Sequence, residues 1–291
     1  MQYITSNTVQ TMYSTLIEYD KLQSIIAKKN TLVFDCRHEL TDPEYGIKSY
    51  KEGHLPNALF ASMDDSLSQK PNGKNGRHPL PEISAFTNWL SVCGVAQNTQ
   101  VIAYDDAGGA YASRLWCLLK WLGHDAVAVL NGGLQNWINQ GGILVSDTPT
   151  PNTSEVFEPK MKDIFVDADF ILQHLNDKQT LIVDARSNDR FHGQNENIDP
   201  VAGHIPGAIN RFFKNNLSST GKFLDAKDLK KTFEGIMEGN LEKTIVHQCG
   251  SGITACHNLL AMEVAGLRNS KLYPGSWSEW ILDPSRPIAT D

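Results

Sequence analysis

The chain has 291 residues, a net charge of −7 and an isoelectric point near 5.7, which argues against a nucleic-acid partner. It has no apolar run long enough to cross a bilayer, and its first ten residues lack the charged-then-apolar pattern of a secretory signal. The five cysteines are scattered and include no CxxC pair. We therefore expect a cytoplasmic protein with free thiols, no disulfide framework and no metal site.

Short apolar strands alternate with amphipathic helices along the chain. In order, we predict strands at 33–34, 101–104, 126–130, 181–183, 244–247 and 271–273, with helices at 83–93, 114–122, 225–233 and 257–264. This alternation predicts an α/β fold, in which each half is a mostly parallel sheet with helices on both faces. Ligands bind such sheets at the carboxyl ends of the strands.

The chain also contains an internal repeat. LVFDCR at 32–37 returns as LIVDAR at 181–186, and GHLPNAL returns as GHIPGAI. A later segment at 101–123 aligns without gaps with 244–266, which pairs Asp106 with Cys249. Only the second half therefore has a cysteine at this position.

Two units of this length predict two domains. We assign the first to residues 1–147 and the second to 160–291, joined by a polar, proline-rich linker at 148–159. We expect the second domain to carry the chemistry. The first would be a scaffold and one wall of a cleft between the domains.

Cys249 follows a predicted strand and precedes a glycine-rich loop that leads into a helix, in the segment TIVHQCGSGITA. Gly250 and Gly252 allow successive N–H groups to point inward, and the helix directs its positive end to the same place. Such surroundings favour a thiolate, so we expect the pKa of Cys249 to lie below the free value of about 8.5. The structural alternative is a small buried cysteine before an ordinary glycine turn.

The paired halves, the GHIPGA segment and the CGSGITA loop resemble the tandem-domain sulfurtransferases of the rhodanese superfamily. The resemblance implies two tandem rhodanese-like domains, of which the first is inactive. It also implies sulfur transfer through a persulfide on Cys249, held by the N–H groups of a loop that includes Gly250, Gly252, Ile253 and Thr254. No cofactor is expected, and the acceptor would be a thiol such as thioredoxin or a small thiol, or cyanide in an assay.

The loop resembles the CG-S/G-GVTA loop of 3-mercaptopyruvate sulfurtransferases more than the CRKGVTA loop of thiosulfate:cyanide sulfurtransferases. Gly250 and Ser251 are neutral, and a neutral loop favours a monoanionic keto acid over the thiosulfate dianion. We therefore predict 3-mercaptopyruvate as the donor. The alternatives are a thiosulfate sulfurtransferase and a non-enzymatic persulfide carrier. A cysteine phosphatase would need an arginine where the chain has Ala255.

The resemblance implies that Arg190, in the DRFHG segment, binds the donor carboxylate; its structural alternative is a surface ion pair. Relatives have a second arginine in a PEPR-like segment, which this chain lacks in QNENIDPVAGH at 194–204. Arg77 is a candidate for its replacement.

Further pocket residues follow from the same resemblance. Asp64, with Asp65 as a close alternative, and His78 correspond to a family aspartate and histidine that, with Ser251, would form a relay that polarises the donor ketone. The alternative is that Asp64 caps a turn, His78 is solvated and Ser251 satisfies a backbone group.

Two kinds of polar residue recur in both halves. Arg37 is repeated as Arg186, and His54 as His204. Because only one half is expected to be catalytic, we predict a structural role for all four.

Overall fold

The computed structural model of the protein describes residues 12–151, 156–268 and 270–290. The first ten residues, where the secretory pattern is missing, lie outside this range, as do residues 152–155 of the predicted linker. Within the described part of the chain, no helix is long and apolar enough to span a membrane.

The first unit is built on a five-stranded sheet whose strands all pair in parallel, in the order β1-β5-β4-β2-β3. Its strands are β1 (Leu16–Ile17), β2 (Thr31–Asp35), β3 (Ala58–Phe60), β4 (Gln100–Tyr104) and β5 (Val127–Leu130). Its helices are α1 (Tyr19–Ile25), α2 (Tyr45–Glu52), α3 (Ile83–Val92), α4 (Ala112–Trp121) and α5 (Gly133–Asn139).

The second unit repeats the design with a four-stranded parallel sheet in the order β7-β6-β8-β9. Its strands are β6 (Thr180–Asp184), β7 (Ile209–Asn210), β8 (Thr244–Gln248) and β9 (Ser270–Leu272). Its helices are α6 (Ala168–Gln173), α7 (Asn188–Phe191), α8 (Ala226–Ile236), α9 (Thr254–Val264) and α10 (Ser276–Trp280), with a 3-10 turn at Phe213–Asn216.

Both sheets are covered on two faces, as predicted. Neighbouring residues of β2 point to opposite sides, so that Phe34 joins one apolar cluster and Val33 another. The first cluster extends without a break through α4 and α9 into the second unit, where Val183 of β6 belongs to it and Ile182 packs on the opposite face. The two halves therefore share one hydrophobic core rather than meeting across a polar seam.

The chain between the units is partly fixed to the first of them. Phe157 is buried, and the N–H groups of Lys160 and Lys162 donate to the carbonyls of Leu122 and Trp121, both at 2.8 Å. The assigned domain limits stay a prediction.

The residues repeated in both halves make the same contacts twice. Arg37 and Arg186 bind the buried carboxylates of Asp35 and Asp184, with Nη2–Oδ2 distances of 2.6 and 2.7 Å. His54 and His204 each bring Nδ1 to within 2.8 Å of a backbone carbonyl of the preceding helix. These contacts fit the predicted structural role, which stays a prediction, and all five cysteines are free, buried thiols.

Strand pairing corrects one detail of the repeat. Asp35 of β2 pairs with Tyr104, whereas its counterpart Asp184 pairs with Gln248. The residue after each partner is Asp105 in the first half and Cys249 in the second. The prediction that Asp106 matches Cys249 is therefore wrong by one residue, because the first loop contains one more residue between strand and helix than the gap-free alignment allows.

Candidate active site

Cys249 lies in the loop between β8 and α9, at the carboxyl edge of the second sheet. It is 2% exposed, and its Sγ accepts a hydrogen bond from the N–H of Gly252 at 3.1 Å. Its own N–H donates to Ser276 Oγ at 3.1 Å, and its carbonyl accepts from Trp277 N–H at 3.0 Å. The loop thus holds the thiol, and α10 holds the backbone of the same residue.

Gly252 is required by this geometry. Its φ of +77° lies in the left-handed region, and a Cβ there would lie 2.2 Å from the carbonyl oxygen of Pro274. The close approach of the two backbones turns the N–H of Gly252 toward the sulfur.

The thiol faces a cleft of about 640 Å³ between the two units. The first unit supplies one wall, including His38, Arg77, His78 and Asp106, as the sequence predicted. The second unit supplies the opposite wall, whose residues include Arg186, Arg190, Phe212, Lys214, Cys249, Gly250, Ser251, Ile253 and Thr254.

The structure brings together the three residues of the predicted relay. His78 Nδ1 lies 2.8 Å from Ser251 Oγ, and His78 Nε2 lies 3.7 Å from Asp64 Oδ1. Because the carboxylate favours a proton on Nε2, Nδ1 is left to accept a hydrogen bond from the serine hydroxyl. Asp65 is turned away and binds Lys70 at 2.9 Å, which separates it from its neighbour.

His78 is held in its neutral form. Burial, together with the positive charges of Arg114 and Arg77, lowers the pKa of His78 to about 3. The ring therefore stays neutral at neutral pH and acts as a hydrogen-bond partner of Ser251, and it is buried rather than solvated.

Two guanidinium groups lie over the cysteine loop. A Cβ added to Gly250 would meet Arg77 Nη2 at 3.0 Å and Arg190 Nη2 at 3.5 Å. Arg190 comes from α7 in the second unit and Arg77 from the first, so the cationic site is assembled across the cleft. A side chain at this position would therefore have to displace the Arg77 guanidinium slightly.

Both arginines are also bound to acidic groups of the segment at 194–204. Asp199 contacts Arg77 through Oδ1 and Arg190 through Oδ2, the latter at 3.1 Å. Glu196 contacts Arg190 at 3.0 Å and Arg186 at 3.4 Å. Arg190 is therefore neither a solvated surface arginine nor unpaired, and the segment that lacks the expected arginine supplies two carboxylates instead.

Arg114, in the first turn of α4, joins both walls of the site from below. Its guanidinium is fully buried and donates to the carbonyls of Gly252 at 3.1 Å, His78 at 3.1 Å and Leu67 at 3.3 Å. It fixes the His78 segment to the cysteine loop. Sequence reasoning missed it, although an arginine amid the apolar run of ASRLWCLLKW was a signal of a buried role.

Asp199 was missed as well. An acidic residue in a predicted loop gives no sign of burial, since its arginine partners lie 122 and 9 positions away in the chain.

In the first half, the loop that corresponds to the cysteine loop is filled by its own side chain. Asp105 is fully buried, and its carboxylate accepts four backbone N–H groups, from Ala107, Gly109, Tyr111 and Ala112, at 2.8–2.9 Å. Burial raises the pKa of Asp105, while these N–H groups act in the opposite direction. Asp106 is exposed and bonds to Tyr45.

One group of residues within the described chain has the composition of a metal site. The ligand atoms of His38, Asp64 and His78 lie within 4.8 Å of one another. His78 already bonds to Ser251, and the positive charges of Arg77 and Arg114 act on the same ring. This field opposes a cation, so we assign no metal here.

Comparison with known proteins gives consistent results. The family of rhodanese-like domains matches residues 18–140 and 167–283. A probable 3-mercaptopyruvate sulfurtransferase of Pseudomonas aeruginosa is 42% identical over 277 residues, covering 94% of this chain and 98% of that protein. A putative thiosulfate sulfurtransferase of Mycobacterium tuberculosis is 35% identical, covering 88% and 89%. The solved structure of 3-mercaptopyruvate sulfurtransferase from Leishmania major is 31% identical with a TM-score of 0.81, covering 92% of this chain and 74% of that one.

Proposed function

The chain belongs to the rhodanese-like family and is a sulfurtransferase, and from that premise we propose that it moves the sulfur of 3-mercaptopyruvate through a persulfide on Cys249 to a thiol acceptor. The observation that carries the proposal is what surrounds the thiol. Two guanidiniums and a Ser–His pair lie beside a neutral glycine loop.

The donor's carboxylate and thiol have separate partners. Arg77 and Arg190 supply N–H groups over Gly250, where a carboxylate would lie one residue from the attacking sulfur. The Ser251 hydroxyl is on the neighbouring residue, and because it donates to His78, its oxygen is left to accept the S–H group of the donor. This arrangement supports the keto acid because it provides two kinds of recognition, and thiosulfate has no S–H group to use the second.

In the first half-reaction, the Cys249 thiolate attacks the donor sulfur, and the C–S bond breaks with its electron pair passing to the carbon as an enolate. The Ser251 hydroxyl, oriented by its hydrogen bond to Nδ1 of neutral His78, passes the donor's S–H proton to the enolate carbon. Pyruvate then leaves. The products are pyruvate and a Cys249 persulfide anion.

In the second half-reaction, an acceptor thiolate attacks the outer sulfur and Cys249 leaves as a thiolate. The N–H of Gly252, 3.1 Å from Sγ, and the loop that leads through Ile253 to Thr254 at the start of α9 support an anionic sulfur at this position. Reduced thioredoxin or a small thiol fits as acceptor. The five free thiols fit a reducing compartment such as the cytoplasm.

Thiosulfate is the second candidate donor. Arg77 and Arg190 supply cationic groups that the loop itself lacks, and these would suit a dianion. We expect thiosulfate to be the slower donor, because Ser251 and His78 give no advantage with it.

Steady-state transfer by the purified protein tests the proposal, with each donor offered separately and with cyanide or dithiothreitol as acceptor. We expect a preference for 3-mercaptopyruvate and a loss of about a thousandfold or more in Cys249→Ser, because the nucleophile is removed. Cys93→Ala, a change at another buried cysteine, is the matched control and should keep the activity. A preference for thiosulfate would overturn the donor assignment. Absence of turnover with both donors would instead favour a persulfide carrier.

A further inference from the structure

Asp199 is an acidic residue that lies between the two arginines of the donor site. The side chain of Asp199 is 2% exposed, whereas those of Arg77 and Arg190 are 25% and 17% exposed. The carboxylate lies behind the two guanidiniums as seen from the cleft. Its backbone N–H donates to Glu196 Oε1 at 3.0 Å, which fixes its position.

This position changes the charge that a donor meets. Two arginines alone would present two positive charges above Gly250. Asp199, shared between them, cancels one of these charges, and Glu196, which binds Arg190, opposes the other. Arg186 adds no further positive charge, because it binds Asp184.

The two possible donors differ in the same quantity. The keto acid carries one negative charge on its carboxylate, and thiosulfate carries two. A site whose arginine charges are largely balanced by carboxylates accepts a monoanion at a lower electrostatic cost than a dianion in a partly desolvated cleft. Gly250 and Ser251 are uncharged and add no further positive charge.

We propose that Asp199 sets the donor selectivity of this enzyme by cancelling one of the two arginine charges at the donor site. This inference rests on the proposed function, since it assumes that donors bind over Gly250. Asp199 lies behind the arginines and acts through them, so it is a specificity-determining residue rather than a catalytic one.

The test is Asp199→Asn, which keeps the shape of the side chain and removes its charge. The ratio of kcat/KM for thiosulfate to kcat/KM for 3-mercaptopyruvate should rise about tenfold, because the added positive charge acts on one more negative charge in thiosulfate. Asp199→Glu, which keeps the charge, should leave the ratio within about twofold of the parent. Asp199→Ser provides a second neutral variant in case the asparagine variant does not fold.

Asp106→Asn is the matched control. Asp106 lines the opposite wall of the same cleft, and its replacement changes the net charge by the same amount without touching either arginine. A ratio that shifts equally in Asp106→Asn would overturn the proposal in favour of a general field effect. An unchanged ratio in both neutral variants at position 199 would also overturn it.

A binding measurement separates this inference from the proposed function. Calorimetric titration of Cys249→Ser with inorganic sulfate and with pyruvate reports on charge selectivity without turnover. Adding Asp199→Asn should tighten sulfate binding about tenfold more than pyruvate binding. If the wild type transferred sulfur from neither donor, the proposed function would fail, while this titration would still decide the role of Asp199.

Discussion

The loops that follow β4 in the first half and β8 in the second begin at the same position in the fold. The first is filled by its own side chain, and the second is open. In the first half, the Asp105 carboxylate fills the loop and accepts four N–H groups. In the second half, Cys249 accepts one N–H group at Sγ and the rest of the loop opens onto the cleft. The strand register is identical, so one residue type and one inserted residue decide whether the loop binds its own side chain or an external group.

The halves also reach into each other through aligned residues of their helices. Arg114 of α4 donates to the carbonyl of Gly252 in the second loop, and His257 of α9 lies with Nε2 3.1 Å from the carbonyl of Gly108 in the first. Burial lowers the pKa of His257 to about 4, so this ring is neutral and donates one hydrogen bond. Arg114 makes several hydrogen bonds, whereas His257 makes fewer. The loop that carries the cysteine is therefore the more firmly held of the two.

The strongest test of this comparison is to move the cysteine from the second loop to the first. In a Cys249→Ser protein that also carries Asp105→Cys, transfer from 3-mercaptopyruvate should stay about a thousandfold below wild type. Asp105 is fully buried and does not line the cleft, and neither Arg190 nor Ser251 belongs to its loop. Recovery of more than about a hundredth of the wild-type rate would contradict this account.

The second test measures what the carboxylate contributes to the first half. Asp105→Asn should lower the free energy of unfolding by about 2–4 kcal/mol, because its Nδ2 would face N–H groups that now donate to a charged oxygen. Urea unfolding followed by circular dichroism gives the value. Asp106→Asn, at the position that the gap-free alignment selects, should change stability by less than about 1 kcal/mol. The reverse order of the two effects would restore that alignment.

The third test sharpens the contrast between the crossing side chains. Arg114→Met should lower kcat/KM for 3-mercaptopyruvate about ten- to hundredfold, because Gly252 and His78 lose the donor that holds them together. His257→Leu should lower it less than about threefold, since Gly108 contacts no part of the relay. Thermal unfolding measured on both variants separates a loss of position from a loss of folded protein. Equal kinetic losses would be evidence against a positioning role for Arg114.

The fourth test concerns pH. Burial lowers the pKa of His247 to about 3 and that of His257 to about 4, from an unfolded value near 6.5. The unfolded chain therefore binds more protons below pH 6.5, and stability falls as pH drops from about 6.5 toward 4 by up to about 1.4 kcal/mol per pH unit for each ring. His257→Gln should unfold with a shallower pH dependence, and an unchanged slope would refute this assignment.

The sequence predicted most of the fold because its signals are local and repeated. Strands such as Thr244–Gln248 and helices such as Thr254–Val264 have strong apolar patterns, and the repeat supplied the two-unit plan. The two-residue strands β1 and β7 and short helices such as α7 were not predicted. Segments of two to four residues are too short to show a hydrophobic periodicity. The slip from Asp105 to Asp106 arose since a one-residue insertion between aligned segments leaves no trace in composition.

The site was predictable where one short segment carries it and less so where distant segments meet. Cys249 and its loop follow from a single motif, and a resemblance was needed to bring Asp64 and His78 to Ser251. Arg77 was only a candidate, and Asp199 was absent from the prediction. Their contact depends on how the two halves dock, which is a property of the shared core rather than of either segment.

The filled loop of the first half has a consequence for how the protein senses its surroundings. The Asp105 carboxylate is covalently part of the loop whose N–H groups it binds. Its effective concentration is therefore fixed and independent of the cell's metabolites. The open loop around Cys249 must recruit its anion from solution, and anything that binds there stabilises the folded state by mass action. The heat resistance of the protein should therefore rise with the supply of sulfur donor, while the contribution of the Asp105 loop stays constant.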